Sequence, residues 1–205
     1  MPKVTKLEVQ KSNKGRVNVY VDDEFYCGME AVTALAVGLK EGREVTTLQL
    51  QSAIFDSEVS VAFGKAVDYI SRYMKTSRQL SQYLLRKGFS QEVCQVVVAK
   101  LLDYGYVDDA RYAQLYTEQN NKSKGARRIK QELLAKGVDK ANAELYSQVD
   151  GEQALQSATN LAQKYMKGKS CDTPTLVKLQ RYLAYRGFDF DVINSVVGNY
   201  RNFDE

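Results

Sequence analysis

Two adjacent carboxylates are the first candidates for chemistry. Residues 104 to 109 read Tyr-Gly-Tyr-Val-Asp-Asp, and a Tyr-Val-Asp-Asp of this kind can hold two divalent cations about 4 Å apart to clamp a reacting phosphate. That arrangement needs the aspartates in the turn of a β-hairpin, with a further carboxylate on a neighbouring strand. The flanks read otherwise. Upstream, Val93, Val96, Val97, Leu101 and Leu102 recur at helical spacing, and downstream Tyr112, Leu115 and Tyr116 share one helical face. The spacing therefore predicts a boundary between helices: Gly105 stops one, Val107 is an apolar staple, Asp108 caps the next and Asp109 lies in its first turn.

Other chemistry is sparse. There is no histidine, which removes the commonest metal ligand and the side chain most easily poised as a base near neutral pH. The three cysteines, Cys27, Cys94 and Cys171, lie far apart and form no Cys-x-x-Cys pair, a pattern that fits a reducing compartment. No metal or cofactor is expected. A metal-dependent phosphoryl transferase using Asp108 and Asp109 stays as a rival that Asp108→Ala would dismiss by lowering only stability.

The basic run Lys122-Ser123-Lys124-Gly125-Ala126-Arg127-Arg128-Ile129-Lys130 carries five cations and no acid. With Ile129 and Leu133 directed inward at about 100° per residue, Lys124, Arg127 and Arg128 are expected on the solvated side, able to engage phosphate or an acidic protein surface. Most charge runs are solvated helix faces, but those mix signs. Arg72, Lys75, Arg78, Lys178 and Arg181 are weaker candidates for extending this surface. Lys87, Lys136 and Arg186 each precede a glycine at a helix end, where a cation meets the negative pole of the helix, so a structural role comes first. Fourteen tyrosines suggest base stacking. Yet Tyr69, Tyr73, Tyr112, Tyr116 and Tyr165 fall on helix faces that favour packing.

The elements that must position these residues show a repeat. Residues 80–90, 129–139 and 179–189 superimpose without gaps, with Gly88, Gly137 and Gly187 spaced 49 and 50 residues apart. In each copy apolar residues four and five apart line one side of a helix that stops at a glycine able to take the left-handed conformation. Ser90, Asp139 or Asp189 then stands where it can cap the following helix. Another amphipathic helix precedes each copy, from Val59 to Met74, from Arg111 to about residue 119, and from Ala154 to Met166. Thr76 and Gln79 form a capping box, and Thr173 precedes a proline at the first helical position. Each unit is thus a three-helix repeat.

Residues 4–27 differ, alternating apolar and polar positions as a β-hairpin with a third short strand. Its expected tip carries Lys11, Lys14 and Arg16, and contact with DNA and a cap over the first repeat both remain open as its role. The division expected is 1–57 for the hairpin and short helices, then three-helix repeats at 58–107, 108–149 and 150–205. The fold class is mainly α: three tandem repeats in an elongated curved array behind a small β element. The longest apolar run, residues 31–37, falls far short of the ~20 residues of a membrane span, so a soluble, cytoplasmic protein is expected.

Gly105-Tyr106-Val107-Asp108-Asp109, the Tyr112-Ala113 pair that follows and the segment 123–137 together resemble the RecX family of bacterial recombination regulators. The resemblance covers nearly the whole chain, and the N-terminal stretch is similar to the hairpin extension of the longer, Gram-positive-type members. It implies a non-enzymatic, monomeric protein that binds the RecA recombinase in the groove of its filament on single- or double-stranded DNA. It further implies limits on filament growth, ATP hydrolysis and strand exchange. The rival of another class is a free-standing helical-repeat DNA binder or transcription regulator, whose affinity would fall steeply with salt and need no RecA.

Overall fold

The computed structural model describes residues 1–201, so the last four residues of the expected third repeat lie outside the described residues. The architecture is mainly helical, with ten helices among the described residues behind a three-stranded antiparallel sheet ordered β1-β2-β3. None of these helices is long and apolar enough to cross a membrane.

Strands β1 (Val4–Val9), β2 (Arg16–Val21) and β3 (Glu24–Glu30) form because their apolar positions alternate, so that Val17, Val19 and Val21 fall on one buried face. The β2–β3 turn is Asp22-Asp23, both at positive φ (50° and 67°), as a tight hairpin with right-handed twist requires. The buried face packs with Met29, Ala34, Leu39, Val45, Leu50 and Ala53. Arg16, expected at the hairpin tip, lies instead in β2, where Nη2 donates to the Gly28 carbonyl at 2.9 Å. Lys11 and Lys14 remain in the connection.

After the short α1 (Ala31–Ala36), helix α2 runs from Thr47 to Ile70. It begins well before the expected Val59. Thr46 and Gln49 form a reciprocal capping box, the Gln49 amide donating to Thr46 Oγ1 at 3.2 Å and the Thr46 amide to Gln49 Oε1 at 2.9 Å. Helices α3 (Ser77–Arg86) and α4 (Gln91–Asp103) follow, with Gly88 at φ +90° between them and the Ser90 hydroxyl accepting from the Val93 amide. Two compact units result: residues 1–73 with 80–106, and residues 74–79 with the chain from 107 onward. Leu80, Leu84, Val93, Val97 and Leu101 are fully buried.

The second unit contains the same three-helix sequence twice: α5 (Asp109–Asn120), α6 (Ala126–Lys136) and α7 (Lys140–Tyr146), then α8 (Gly151–Met166), α9 (Thr173–Tyr185) and α10 (Phe190–Arg201). Ile129, Leu133 and Ala143 centre one core, and Leu179, Leu183 and Val196 the other. Asp108, Asp139 and Asp150 each accept a first-turn amide, as N-caps should. The third repeat departs by one position. Asp172 is the cap of α9, accepting from the Thr175 amide at 2.8 Å, so Thr173 and Pro174 are already helical.

The glycine stops also serve as sockets. The amides of Gly125 and Arg127, at the start of α6, donate to the carbonyls of Arg186 (2.9 Å) and Gly187 (3.2 Å), at the end of α9. A Cβ at Gly125 would collide with the Gly187 carbonyl, and one at Gly187 with the Arg128 backbone. In the same way Thr76 Oγ1, at the start of α3, donates to the Lys136 carbonyl at 2.6 Å, while the Arg78 stem lies where a Gly137 Cβ would go. Around Gly88 there is open space.

This difference ranks three alanine variants. Every site has positive φ, so each loses about 1 kcal/mol to backbone strain. Gly88→Ala should lose little more. Gly137→Ala must displace the Arg78 stem and Gly187→Ala must displace backbone, so losses of about 2 and about 3 kcal/mol are expected. Urea unfolding of the three variants checks the order, and equal losses would contradict the sockets.

Candidate functional site

The Tyr-Val-Asp-Asp boundary is built as the flanking periodicities require. Gly105 takes φ +69°, its amide donates to Leu102 O and the Tyr106 amide to Leu101 O (3.0 and 2.9 Å), closing α4 in a left-handed stop. Val107 is buried. Asp108 Oδ1 accepts from the Arg111 amide at 2.8 Å. Asp109 does more than favour the helix pole: its two oxygens take the Ser77 amide (2.8 Å) and hydroxyl (2.5 Å). Both carboxylates therefore have structural partners, and helices flank them on both sides. Among the described residues no group of three or more His, Cys, Asp or Glu side chains could hold a metal ion. Tyr106 contributes its backbone to the stop, but the residue is 63% exposed and its ring meets Tyr104 edge-on at 6.2 Å.

The basic run is not the set of free cations its composition suggests. Lys124 Nζ pairs with Glu132 Oε2 at 2.6 Å, Arg128 Nε with Glu132 Oε1 at 2.9 Å, Arg127 Nε with Asp189 at 2.8 Å and Lys130 Nζ with Glu144 at 2.7 Å. The expectation that Lys124, Arg127 and Arg128 stand together in solvent holds for Arg127, whose side chain is 69% exposed, and is corrected for Lys124 and Arg128, which are partly buried in ion pairs. Lys124 is half-buried, and Arg127 and Arg128 lie where α6 meets the end of α9. The acids that neutralise the run come from outside it. Lys122 alone of the five carries no ion pair among the described residues and is exposed.

Glu132 is the residue that sequence reasoning missed. Burial alone would raise its pKa, but hydrogen bonds from Lys124, the Tyr116 hydroxyl (2.5 Å) and Arg128 outweigh it and hold the carboxyl at about 2. The Tyr116 hydroxyl is correspondingly pushed up, by burial first and then by its bond to Glu132. The signal was available in the repeat. Five residues before the three glycines stand Tyr83, Glu132 and Tyr182. Tyr83 stacks on Tyr69 (3.9 Å between centroids) and Tyr182 on Tyr165 (4.9 Å), whereas Glu132 accepts a hydrogen bond from Tyr116. Lys87, Arg186 and Lys136, beyond sitting at helix ends, lie 5.6, 5.2 and 5.1 Å from the rings of Tyr83, Tyr182 and Tyr116. These tyrosines pack between helices of their own repeats.

Of the weaker candidates, Arg72 is exposed after α2 in the first unit. Lys75 and Arg78 belong to the second unit, Lys75 half-buried and Arg78 with its stem against Gly137. Lys178 and Arg181 are both exposed, one turn apart on α9.

The depressed Glu132 pKa has a stability consequence. A carboxylate ionising at about 2 when folded, against an ordinary 4.5, stabilises the fold fully above pH 4.5 and loses that contribution as pH falls towards 2. Glu132→Gln should cost about 2 kcal/mol at pH 7, and the gap to the parent should narrow steadily on acidification through that window. Thermal melts at a series of pH values check this, and a pH-independent gap would contradict it.

Comparison with known proteins covers the chain from end to end. Family profiles match in order: "Regulatory protein RecX N-terminal domain" at residues 2–46, and the first, second and third three-helix domains of RecX at 62–101, 108–145 and 151–197. Regulatory protein RecX of Clostridium tetani is 32% identical over 95% of this chain and 93% of its own length. That of Clostridioides difficile is 32% identical over 98% and 97%, and that of Bacillus cereus 33% over 94% and 75%. A crystal structure of a regulatory protein RecX shares the fold with a TM-score of 0.74 at 24% identity, covering 97% of this chain and all of that one. RecX from Lactobacillus salivarius shares it with a TM-score of 0.64 at 23% identity over 72% of this chain. With relatives above 30% identity over nearly their whole length and all four domains in order, the chain belongs to the RecX family of regulatory proteins.

Proposed function

We propose that this chain is a non-catalytic regulator of homologous recombination and DNA repair that binds the RecA filament on DNA and restrains its growth, ATP hydrolysis and strand exchange. The observation that carries this reading is the run of four family domains along one chain, an N-terminal domain and three three-helix domains in tandem. The engagement of Asp108 and Asp109 in helix caps and ties supports a regulator over a metal-dependent transferase. Tandem helical domains suit the task, because each can present a similar contact to successive subunits of a filament.

Lys122, Lys178 and Arg181 are the preferred contact residues, exposed and outside the helix-end joints. Arg72 and Lys75 extend the set. Changes to Arg78, Arg127 or Arg128 would disturb packing together with any contact, since these residues lie in the joints. The chain acts in the cytoplasm, as a monomer and without a cofactor.

The decisive measurement is RecA-catalysed ATP hydrolysis on single-stranded DNA with increasing amounts of this protein. Inhibition at well below one molecule per RecA is expected. Replacing Lys122, Lys178 and Arg181 together with Glu should raise the half-inhibitory concentration at least about tenfold, each lost phosphate or carboxylate contact being worth about 0.5–1 kcal/mol, while leaving helicity intact. Absence of inhibition by the parent protein would overturn the function, and unchanged inhibition by the variant would overturn the contact set.

A further inference from the structure

Three donors converge on Glu132, within α6. Lys124 Nζ and the Tyr116 hydroxyl reach Glu132 Oε2 at 2.6 and 2.5 Å, Arg128 Nε reaches Oε1 at 2.9 Å, and Lys136 Nζ lies 5.1 Å from the Tyr116 ring. Two cations thus meet a single carboxylate, an excess of one positive charge, and Lys136 stands over the ring of the tyrosine that shares it. Separate donors on the two oxygens make the arrangement that also holds two oxygens of a phosphate. The fold does not demand a carboxylate here, since the equivalent residues Tyr83 and Tyr182 pack as rings.

We propose that Lys124, Arg128 and the Tyr116 hydroxyl form a phosphate-binding site for single-stranded DNA, which Glu132 occupies as an internal ligand and thereby holds at low affinity. Glu132 is then a specificity-determining residue that weakens DNA binding by the second three-helix domain. Nucleic acid is favoured over a protein carboxylate by what stands beside the donors. The Arg128 guanidinium lies 5.3 Å from the ring of Tyr185, which is 71% exposed, so an aromatic face accompanies the cations. Exposed rings next to phosphate-binding cations are how single strands are held. Exposed Lys122, without an ion pair among the described residues, adds a further positive charge two residues before Lys124.

This assignment rests on the proposed function only in naming DNA as a ligand, and the experiment omits RecA so that the two succeed or fail separately. A labelled oligothymidylate is titrated with the full chain over a range of salt, following anisotropy. Glu132→Gln and Glu132→Tyr should both bind about tenfold tighter than the parent, with a salt slope steeper by about one. Glu132→Tyr installs the ring that the other two repeats carry, so it answers even if the glutamine variant is unstable. Glu144→Gln, which removes the partner of Lys130, should change affinity less than about twofold. Lys124→Ala placed on Glu132→Tyr should cancel the gain. The proposal is overturned if neither Glu132 variant gains, if Glu144→Gln gains equally, or if labelled polyglutamate shows the same gain as the oligonucleotide.

Discussion

Everything in the second unit depends on one kind of contact, the start of one helix seated on the left-handed glycine that ends another. An α-helix leaves its first amides and last carbonyls without partners. Here the two deficits cancel. The amides of Gly125 and Arg127 take the carbonyls of Arg186 and Gly187, and the positive pole of α6 meets the negative pole of α9. This explains why the N-cap of α6 is a glycine without a capping side chain. Any Cβ there would hold the two backbones apart, and the donors it might have satisfied are already bonded. Thr76 and Lys136 repeat the arrangement with a hydroxyl in place of an amide.

The joints also decide what the basic residues can do. Arg127 reaches Asp189 and Arg128 faces Tyr185, each tying α6 to the end of α9 or the turn that follows it. Cations that look like a ligand-binding run are therefore already engaged in assembly. A partner that drew Arg127 or Arg128 away would act on the joint itself. A partner that contacted Lys178 and Arg181 would leave it alone, because those side chains stand exposed on α9.

What was legible in the sequence is what depends on near neighbours. The stops at Gly88, Gly105, Gly137 and Gly187, and the caps at Ser90, Asp108 and Asp139, follow from local spacing and appear as expected. Asp172 and Thr173 are both good caps, and local pattern chose the wrong one. Helix α2 was read as starting late because the residues it buries in its first half include Ala53 and Ser57, small side chains that leave little hydrophobic stripe. Ser57 is buried for its hydroxyl, which accepts from the Glu30 amide at 2.8 Å. Partners distant in sequence left no trace: Ser77 and Asp109, Arg127 and Asp189, Gly125 and Gly187. The run of five cations reads as unopposed for the same reason, its acids lying two to fifty-nine positions beyond it.

The three repeats share a backbone plan but differ at the position five residues before the glycine, and this difference changes the physics of each. In the first and third, two tyrosine rings stack, with Lys87 over Tyr83 in the first and Lys169 and Arg186 over Tyr165 and Tyr182 in the third, an arrangement held mostly by apolar area and little affected by salt. In the second, the stack is replaced by a carboxylate among cations. An ion cluster near the surface responds to ionic strength and to competing anions, as stacked rings do not. One substitution within a repeated frame therefore makes the middle repeat the one whose packing and charge are coupled to the anions around it.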